Sequence, residues 1–182
     1  HLLENPYDPE LFSWKTFRHN PSLSSSLSDN IVYDLCEDPQ TGALWVGTRS
    51  GLSIMKEDQP GSFVNYNTFH ETNRLPNNEI NSIVADNNGN MWMGSIGGGV
   101  FYANTMKPKF DFFQVHLPEM PTAAIRSIYL NHQDQMWLSV GTYGIVFYDP
   151  HNQKIVPQSE IPEFSGLNQT TIYDICACNR DE

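Results

Sequence analysis

Five side chains carry the binding chemistry that this sequence can be read to hold: Tyr33, Asn81, Arg126, Tyr143 and Tyr173. Aromatic planes beside an amide and a guanidinium suit a polyhydroxylated ligand, because rings stack on its apolar faces while the polar groups address its hydroxyls. A guanidinium also holds a uronate or sulfate in a paired geometry that lysine reproduces poorly, so Arg126 points to an anionic sugar. No reacting group joins this set. The chain has no Gly-x-Ser-x-Gly elbow, and the run Gly97 to Gly99 lacks the lysine and helix of a phosphate cradle. His1, His19, His70, His116, His132 and His151 are scattered without zinc-ligand spacing. Catalytic residues, metal ligands and a cofactor are therefore all expected to be absent.

Four of the five candidates occupy one place in a repeated pattern. A tryptophan phrase recurs as Leu44-Trp45-Val46-Gly47-Thr48, Met91-Trp92-Met93-Gly94-Ser95 and Met136-Trp137-Leu138-Ser139-Val140. A period of about 45 residues is the length of four short strands, which is the unit of a propeller blade. Ahead of each tryptophan lies a hydrophobic strand: Val32-Tyr33-Asp34-Leu35, Ile80-Asn81-Ser82-Ile83 and Ile125-Arg126-Ser127-Ile128, with a fourth copy at Ile172-Tyr173-Asp174-Ile175. The candidates Tyr33, Asn81, Arg126 and Tyr173 are the second residue of these strands. Turn residues set the strand ends. Asp86-Asn87-Asn88-Gly89 supplies the positive φ of a tight hairpin, and Gly51, Gly99 and Gly144 recur between the second and third strands.

The reading is all-β. Residues 1–182 are expected to be a fragment of one β-propeller domain, with three complete four-stranded antiparallel blades near 32–66, 80–114 and 125–157. Partial blades are expected at 12–17 and 171–182, left to pair only if the array closes or a second chain contributes. Alternation along antiparallel strands places the long loops that lead into each blade on the same face as the corners carrying Arg49 and Tyr143. Asp29, Asn30, Asn77, Asn78 and Thr122 lie in those leading loops, where binding residues tend to sit. The repeated tryptophans read as packing between blades. An array of this size exposes blade faces, so neighbouring blades or a homodimer would cover them.

A formal net charge of -11 argues against nucleic acid as a partner, since phosphate binding needs a basic surface. No segment is long and apolar enough for a transmembrane helix, no signal-peptide pattern is present, and a chain beginning at His1 reads as a piece of a longer protein. Cys36, Cys176 and Cys178 read as small hydrophobes of packed strands, so compartment does not follow from them.

The stretch Phe17-Arg18-His19-Asn20-Pro21 through Ser26-Leu27-Ser28-Asp29-Asn30, with Glu37-Asp38, Leu44 to Thr48 and Gly51-Leu52, resembles the two-component regulator propeller repeat. Blade three departs from it, with Ser139-Val140 in place of Gly-Thr. The resemblance implies the periplasmic sensor part of a hybrid two-component system, found mostly in Bacteroidetes and anchored in the inner membrane. It further implies a histidine kinase module, further propeller blades, and an oligosaccharide from glycan breakdown as the ligand. Asp86 to Trp92 also resembles the Asp-box of sialidase-type propellers, a turn-stabilising element remote from chemistry. It lacks the spaced carboxylates of a calcium loop. Two alternatives stay open: an Asp-box-type glycosidase or a lyase, which needs acid and base groups converging on the channel, and a protein-interaction propeller without a small ligand.

Overall fold

The computed structural model describes residues 2–4, 13–69, 74–104, 107–113, 124–149, 152, 154–167 and 171–176. Strands β1 (Leu2–Glu4) and β2 (Ser13–Lys15) form a two-stranded sheet. Three antiparallel meanders of four strands follow: β3 to β6 (Val32–Glu37, Leu44–Thr48, Gly51–Met55, Phe63–Tyr66), β7 to β10 (Ile80–Ala85, Asn90–Ser95, Gly99–Asn104, Lys107–Phe113) and β11 to β14 (Ile125–Leu130, Met136–Val140, Gly144–Asp149, Lys154–Pro157). We call these blades 1, 2 and 3. The leading strands pack side by side, β3 on β7 and β7 on β11. Two short 3-10 turns, Gln158–Glu160 and Pro162–Leu167, follow blade 3.

Blades cohere because each tryptophan strand packs on the leading strands of the next blade. Trp45 shares a core with Ile83 and Met91, and Trp92 shares one with Ile128 and Met136. All three tryptophans lie on the second strand of their blade. Trp45 and Trp92 are buried, whereas Trp137 is only half-buried and packs edge-on against Phe164 of the second 3-10 turn. The same logic explains an exposed leucine. Ile83 and Ile128 are 6% and 8% exposed beneath the preceding blade, while their counterpart Leu35 is 57% exposed.

Glycine in the tryptophan phrase lets blades approach. A Cβ on Gly47 would come within 2.8 Å of the Ile80 carbonyl oxygen, and one on Gly94 within 2.5 Å of Ile125 Cγ2. Blade 3 has Ser139 here, and its hydroxyl donates to the carbonyl of Ile172, the residue aligned with Ile80 and Ile125. The departure of blade three from the family pattern thus converts a close approach into a hydrogen bond. At the corner after the second strand, Gly51 has φ 137 and its Cβ would meet the Tyr66 carbonyl at 2.3 Å, so glycine is required there.

Both chain ends differ from expectation. The segment 12–17 was expected to lack a partner within the chain, yet β2 pairs with β1, with Leu3 opposite Trp14. The short run 2–4 satisfies its ladder bonds where periodicity gives no signal. Within 171–182, the described residues 171–176 form no strand. They are held by side chains instead: Ser139 Oγ on the Ile172 carbonyl, Ser127 Oγ on Asp174, and the Ile175 amide on Ser127 Oγ at 3.2 Å. In blade 2 the fourth strand begins at Lys107, with a register shift between Lys107 and Phe110 around Pro108, which has no amide to donate.

Candidate functional site

The leading strand of every blade carries a bulge, and always at the same residue. The ladder slips between Val32 and Asp34, between Ile80 and Ser82, and between Ile125 and Ser127, so Tyr33, Asn81 and Arg126 are the extra residues. A bulged residue has no ladder partner and its side chain is re-aimed by the local kink. In this chain the three side chains, joined by Tyr173, line one cavity of about 280 Å³ with Asp34, Ser82, Ser127, Ile128 and Asp174.

Three polar atoms of this cavity are buried without a hydrogen-bond partner among the described residues: Asn81 Oδ1, Ser82 Oγ and Arg126 Nε. Arg126 also lies over the Tyr173 ring, 5.1 Å from its centroid. Tyr33 donates to Glu79 Oε1 at 2.7 Å, a bond that reaches from blade 1 to the loop leading into blade 2. That bond, aided by burial, raises the pKa of the phenol. Behind it, Asp29 accepts from the Ile31 amide at 2.9 Å, the Ser50 hydroxyl at 2.7 Å and Arg49 Nε at 3.2 Å, and the first two of these hold its carboxyl below the usual range.

The third residue of the leading strand ties blades together. Asp34 Oδ2 accepts from the Ile83 amide of blade 2 at 2.7 Å, and Ser127 Oγ accepts from Ile175. Ser82, the residue between them in this series, makes no such bond among the described residues. Burial pushes the Asp34 carboxyl up, the amides of Ile83 and Leu35 oppose this, and the charge of Asp174 adds to it. Asp34, Ser82, Ser127, Asp174 and Glu79 escape a search for candidate residues by type. The signal for the first four is the column of small polar residues one place after Tyr33, Asn81, Arg126 and Tyr173.

The fifth candidate is elsewhere. Tyr143 sits in the corner between β12 and β13 and packs against the core between blades 2 and 3. The amides and carboxylate of the leading loops are engaged in holding those loops: Asn30 Oδ1 accepts from the His19 amide, Asn77 Oδ1 from the Glu79 amide and Asn78 Oδ1 from the Thr68 amide. Thr122, Cys178 and four of the histidines lie outside the described residues; His19 Nδ1 is 2.6 Å from the Leu27 carbonyl. Among the described residues no cluster of His, Cys, Asp and Glu could hold a metal ion.

Asp86 has the structural role expected of an Asp-box. Its carboxylate accepts from the amides of Asn88 and Asn90, each at 2.8 Å, from Asn90 Nδ2 at 2.7 Å and from Trp92 Nε1 at 2.8 Å, closing the hairpin onto the tryptophan.

Radial meanders with contiguous leading strands define this chain as a segment of a β-propeller. Residues 26–50 and 74–97 match the family model described as the two-component regulator propeller. Among solved structures it resembles the extracellular domain of a hybrid two-component system from B. thetaiotaomicron, with 21% identity and a TM-score of 0.64 over 80% of this chain and 19% of that one. A second extracellular domain from B. thetaiotaomicron aligns at 21% identity and TM-score 0.60, over 70% of this chain and 16% of its own. PorZ, a surface component of the type-IX secretion system of Porphyromonas gingivalis, aligns at 18% identity and TM-score 0.61, over 89% of this chain and 25% of its own. At these identities the likeness speaks for the fold. No curated protein matches the chain. Among the described residues no helix is long and apolar enough to cross a membrane.

Proposed function

We propose that this chain is a ligand-sensing segment of the periplasmic ectodomain of a hybrid two-component system, and that the bulge cavity receives one end of a glycan-derived oligosaccharide. The carrying observation is that three buried, unpartnered polar atoms, Asn81 Oδ1, Ser82 Oγ and Arg126 Nε, belong to residues that line one cavity together with Tyr33 and Tyr173. An unpaired buried polar atom costs about 1–3 kcal/mol, so a ligand that supplies the missing partners recovers that cost on binding. Hydroxyl groups can donate to Asn81 and accept from Arg126. The cavity also contains Asp34 and Asp174, which repel a uronate or sulfate and favour a neutral sugar over the anionic one that Arg126 alone suggests. Binding would bias a distant histidine kinase through the remaining blades of the parent, one of which would cover Leu35, or through a homodimer. The chain itself performs no catalysis in this reading.

A second reading is a glycosidase, favoured by the two carboxylates in one cavity, with the Asp34 carboxyl pushed up as an acid's would be. Against it, both carboxylates already hold amides or a hydroxyl between blades. Calorimetry of the whole ectodomain with neutral and uronate oligosaccharides, with chromatography of the mixtures for released products, separates these readings. Sensing predicts binding of a neutral oligosaccharide, no product, and a loss of roughly 1.5–3 kcal/mol in Arg126→Ala, as for a hydrogen bond to a charged group. Unchanged affinity in both Arg126→Ala and Asn81→Ala would remove the ligand from this cavity.

A further inference from the structure

The three blades are copies of one unit, so each position can be judged against its counterparts. Opposite the tryptophan on the third strand stand Ile54 in blade 1, Tyr102 in blade 2 and Phe147 in blade 3. The rings cover their tryptophans at centroid distances of 4.6 Å for Trp92 and Tyr102 and 4.9 Å for Trp137 and Phe147. The facing blade shows a second difference. Opposite the methionine that receives the tryptophan stands Tyr148 in blade 3 but Ala103 in blade 2. Trp92 therefore packs among Met136, Tyr102 and Tyr148, whereas Trp45 packs among Met91, Ile54 and Ala103.

Two aromatic rings present between blades 2 and 3 are missing between blades 1 and 2, and a cavity of about 730 Å³ stands in their place. Trp45, Ile54, Ala103, Tyr66 and Phe110 line it together with Asp38, Glu57, Asp58 and Lys56. It opens among the hairpin turns, at the end of the blades opposite the bulge cavity. The tryptophan itself differs too. Trp92 Nε1 donates to Asp86, but the corresponding Asp38 accepts instead from the Gln40 amide and the Thr41 hydroxyl. Among the described residues no acceptor stands against the indole N–H of Trp45, which lines the cavity and is not one of the buried unpartnered atoms.

We propose that this cleft is a binding site for a small, flat, uncharged heteroaromatic molecule. Its ring would occupy the space of the two missing aromatics and its acceptor atom would take the Trp45 Nε1 proton. Volume and apolar lining match those of small-molecule pockets, and the unused donor supplies the single oriented polar contact that such pockets employ. Three carboxylates to one ammonium in the lining turn away an anionic analogue. The proposal is independent of the sugar reading, which uses the other end of the blades.

The test is titration of the 15N-labelled chain with quinoline, and separately with quinoline-2-carboxylate, following the indole N–H signals of the four tryptophans. Quinoline is expected to shift Trp45 saturably and to leave Trp92 and Trp137 in place, and the carboxylate is expected to have no effect at the same concentration. Ile54→Tyr restores the ring of blade 2; it should raise the thermal midpoint and weaken quinoline at least about tenfold, equivalent to ~1.4 kcal/mol. Ala103→Tyr restores the other ring and gives a second filled variant where the first misfolds. An unmoved Trp45 signal in the parent chain overturns the proposal, as does an equal shift in either folded variant or a common shift of all tryptophans.

Discussion

Removing the Asp86 carboxylate should unfold blade 2 from its hairpin inwards, and the cost can be worked from its bonds. Four donors converge on it: two turn amides, the Asn90 side chain and Trp92 Nε1, at 2.7–2.8 Å. Counting each as a hydrogen bond to a charged group, at about 1.5–3 kcal/mol, overstates the loss, because the amides of an open turn regain water. The indole N–H does not. Trp92 is 7% exposed and its ring is enclosed by Tyr102, Met136 and Tyr148, so it bears the full cost of about 1–3 kcal/mol for an unsatisfied buried donor. Adding about 1–2 kcal/mol for a turn that loses its organising acceptor gives ~2–5 kcal/mol for Asp86→Ala. Asp38→Ala is the internal control. Its carboxylate holds only Gln40 and Thr41 among the described residues, so about 1–2 kcal/mol is expected. Urea unfolding of both variants, followed by tryptophan fluorescence, checks the difference. Equal losses, or an Asp86→Ala loss under about 1 kcal/mol, would refute the reasoning that the buried indole anchor accounts for most of the cost.

Gly94→Ala should cost about 1–3 kcal/mol, because the new methyl meets Ile125 at 2.5 Å and Ser82 Oγ at 2.6 Å between packed blades; an unchanged urea midpoint would show that the blades can separate at no cost. The Asp34 carboxyl is raised above its unfolded value, chiefly by burial, so its contribution to stability is full below the ordinary carboxylate pKa and is lost as pH rises through the folded value. Asp34→Asn should therefore gain stability relative to the parent chain on going from acidic to neutral pH, and a difference in urea midpoint that is constant with pH would contradict this.

Periodicity made the blades legible, because a tryptophan and its glycine must recur wherever one blade packs on the next. The bulge residues were legible for the same reason: Tyr33, Asn81 and Arg126 vary within an otherwise apolar column, and the register shifts fall on those residues. Their neighbours Asp34, Ser82, Ser127 and Asp174 read as ordinary polar alternation, and only the structure brings them to one cavity. Tyr143 packs against the core between blades 2 and 3, and a corner on the right face says nothing in sequence about whether its side chain turns to the cavity or to the core. The pairing of β1 with β2 was beyond reach, since three residues carry no period. Leading-loop amides looked like free binding groups, yet Asn77 accepts from the amide two residues on, the local bond that asparagine makes in a turn.

A repeat supplies its own control, and departures from it fall into two physical kinds. Ser139 replaces the glycine of its sister blades, and the added hydroxyl is consumed by a bond to the Ile172 carbonyl, so the change is compensated within the fold. Gln158, buried at the edge of blade 3, likewise accepts from the Ile145 amide at 2.9 Å and donates to the Phe164 carbonyl at 3.0 Å, compensating locally. Ile54 and Ala103 are the other kind. Both are smaller than their counterparts and both pack with the same tryptophan, and although Phe110 stands opposite Ala103 and meets Tyr66 edge-on, a cavity remains between these rings and Trp45. Ser82 belongs with them, since its hydroxyl lacks the interblade amide that Asp34 and Ser127 each hold. A close-packed interior tolerates a void or an orphan donor only at a cost in stability. Uncompensated departures at opposite ends of blades 1 and 2 are therefore the positions at which the two proposed sites lie.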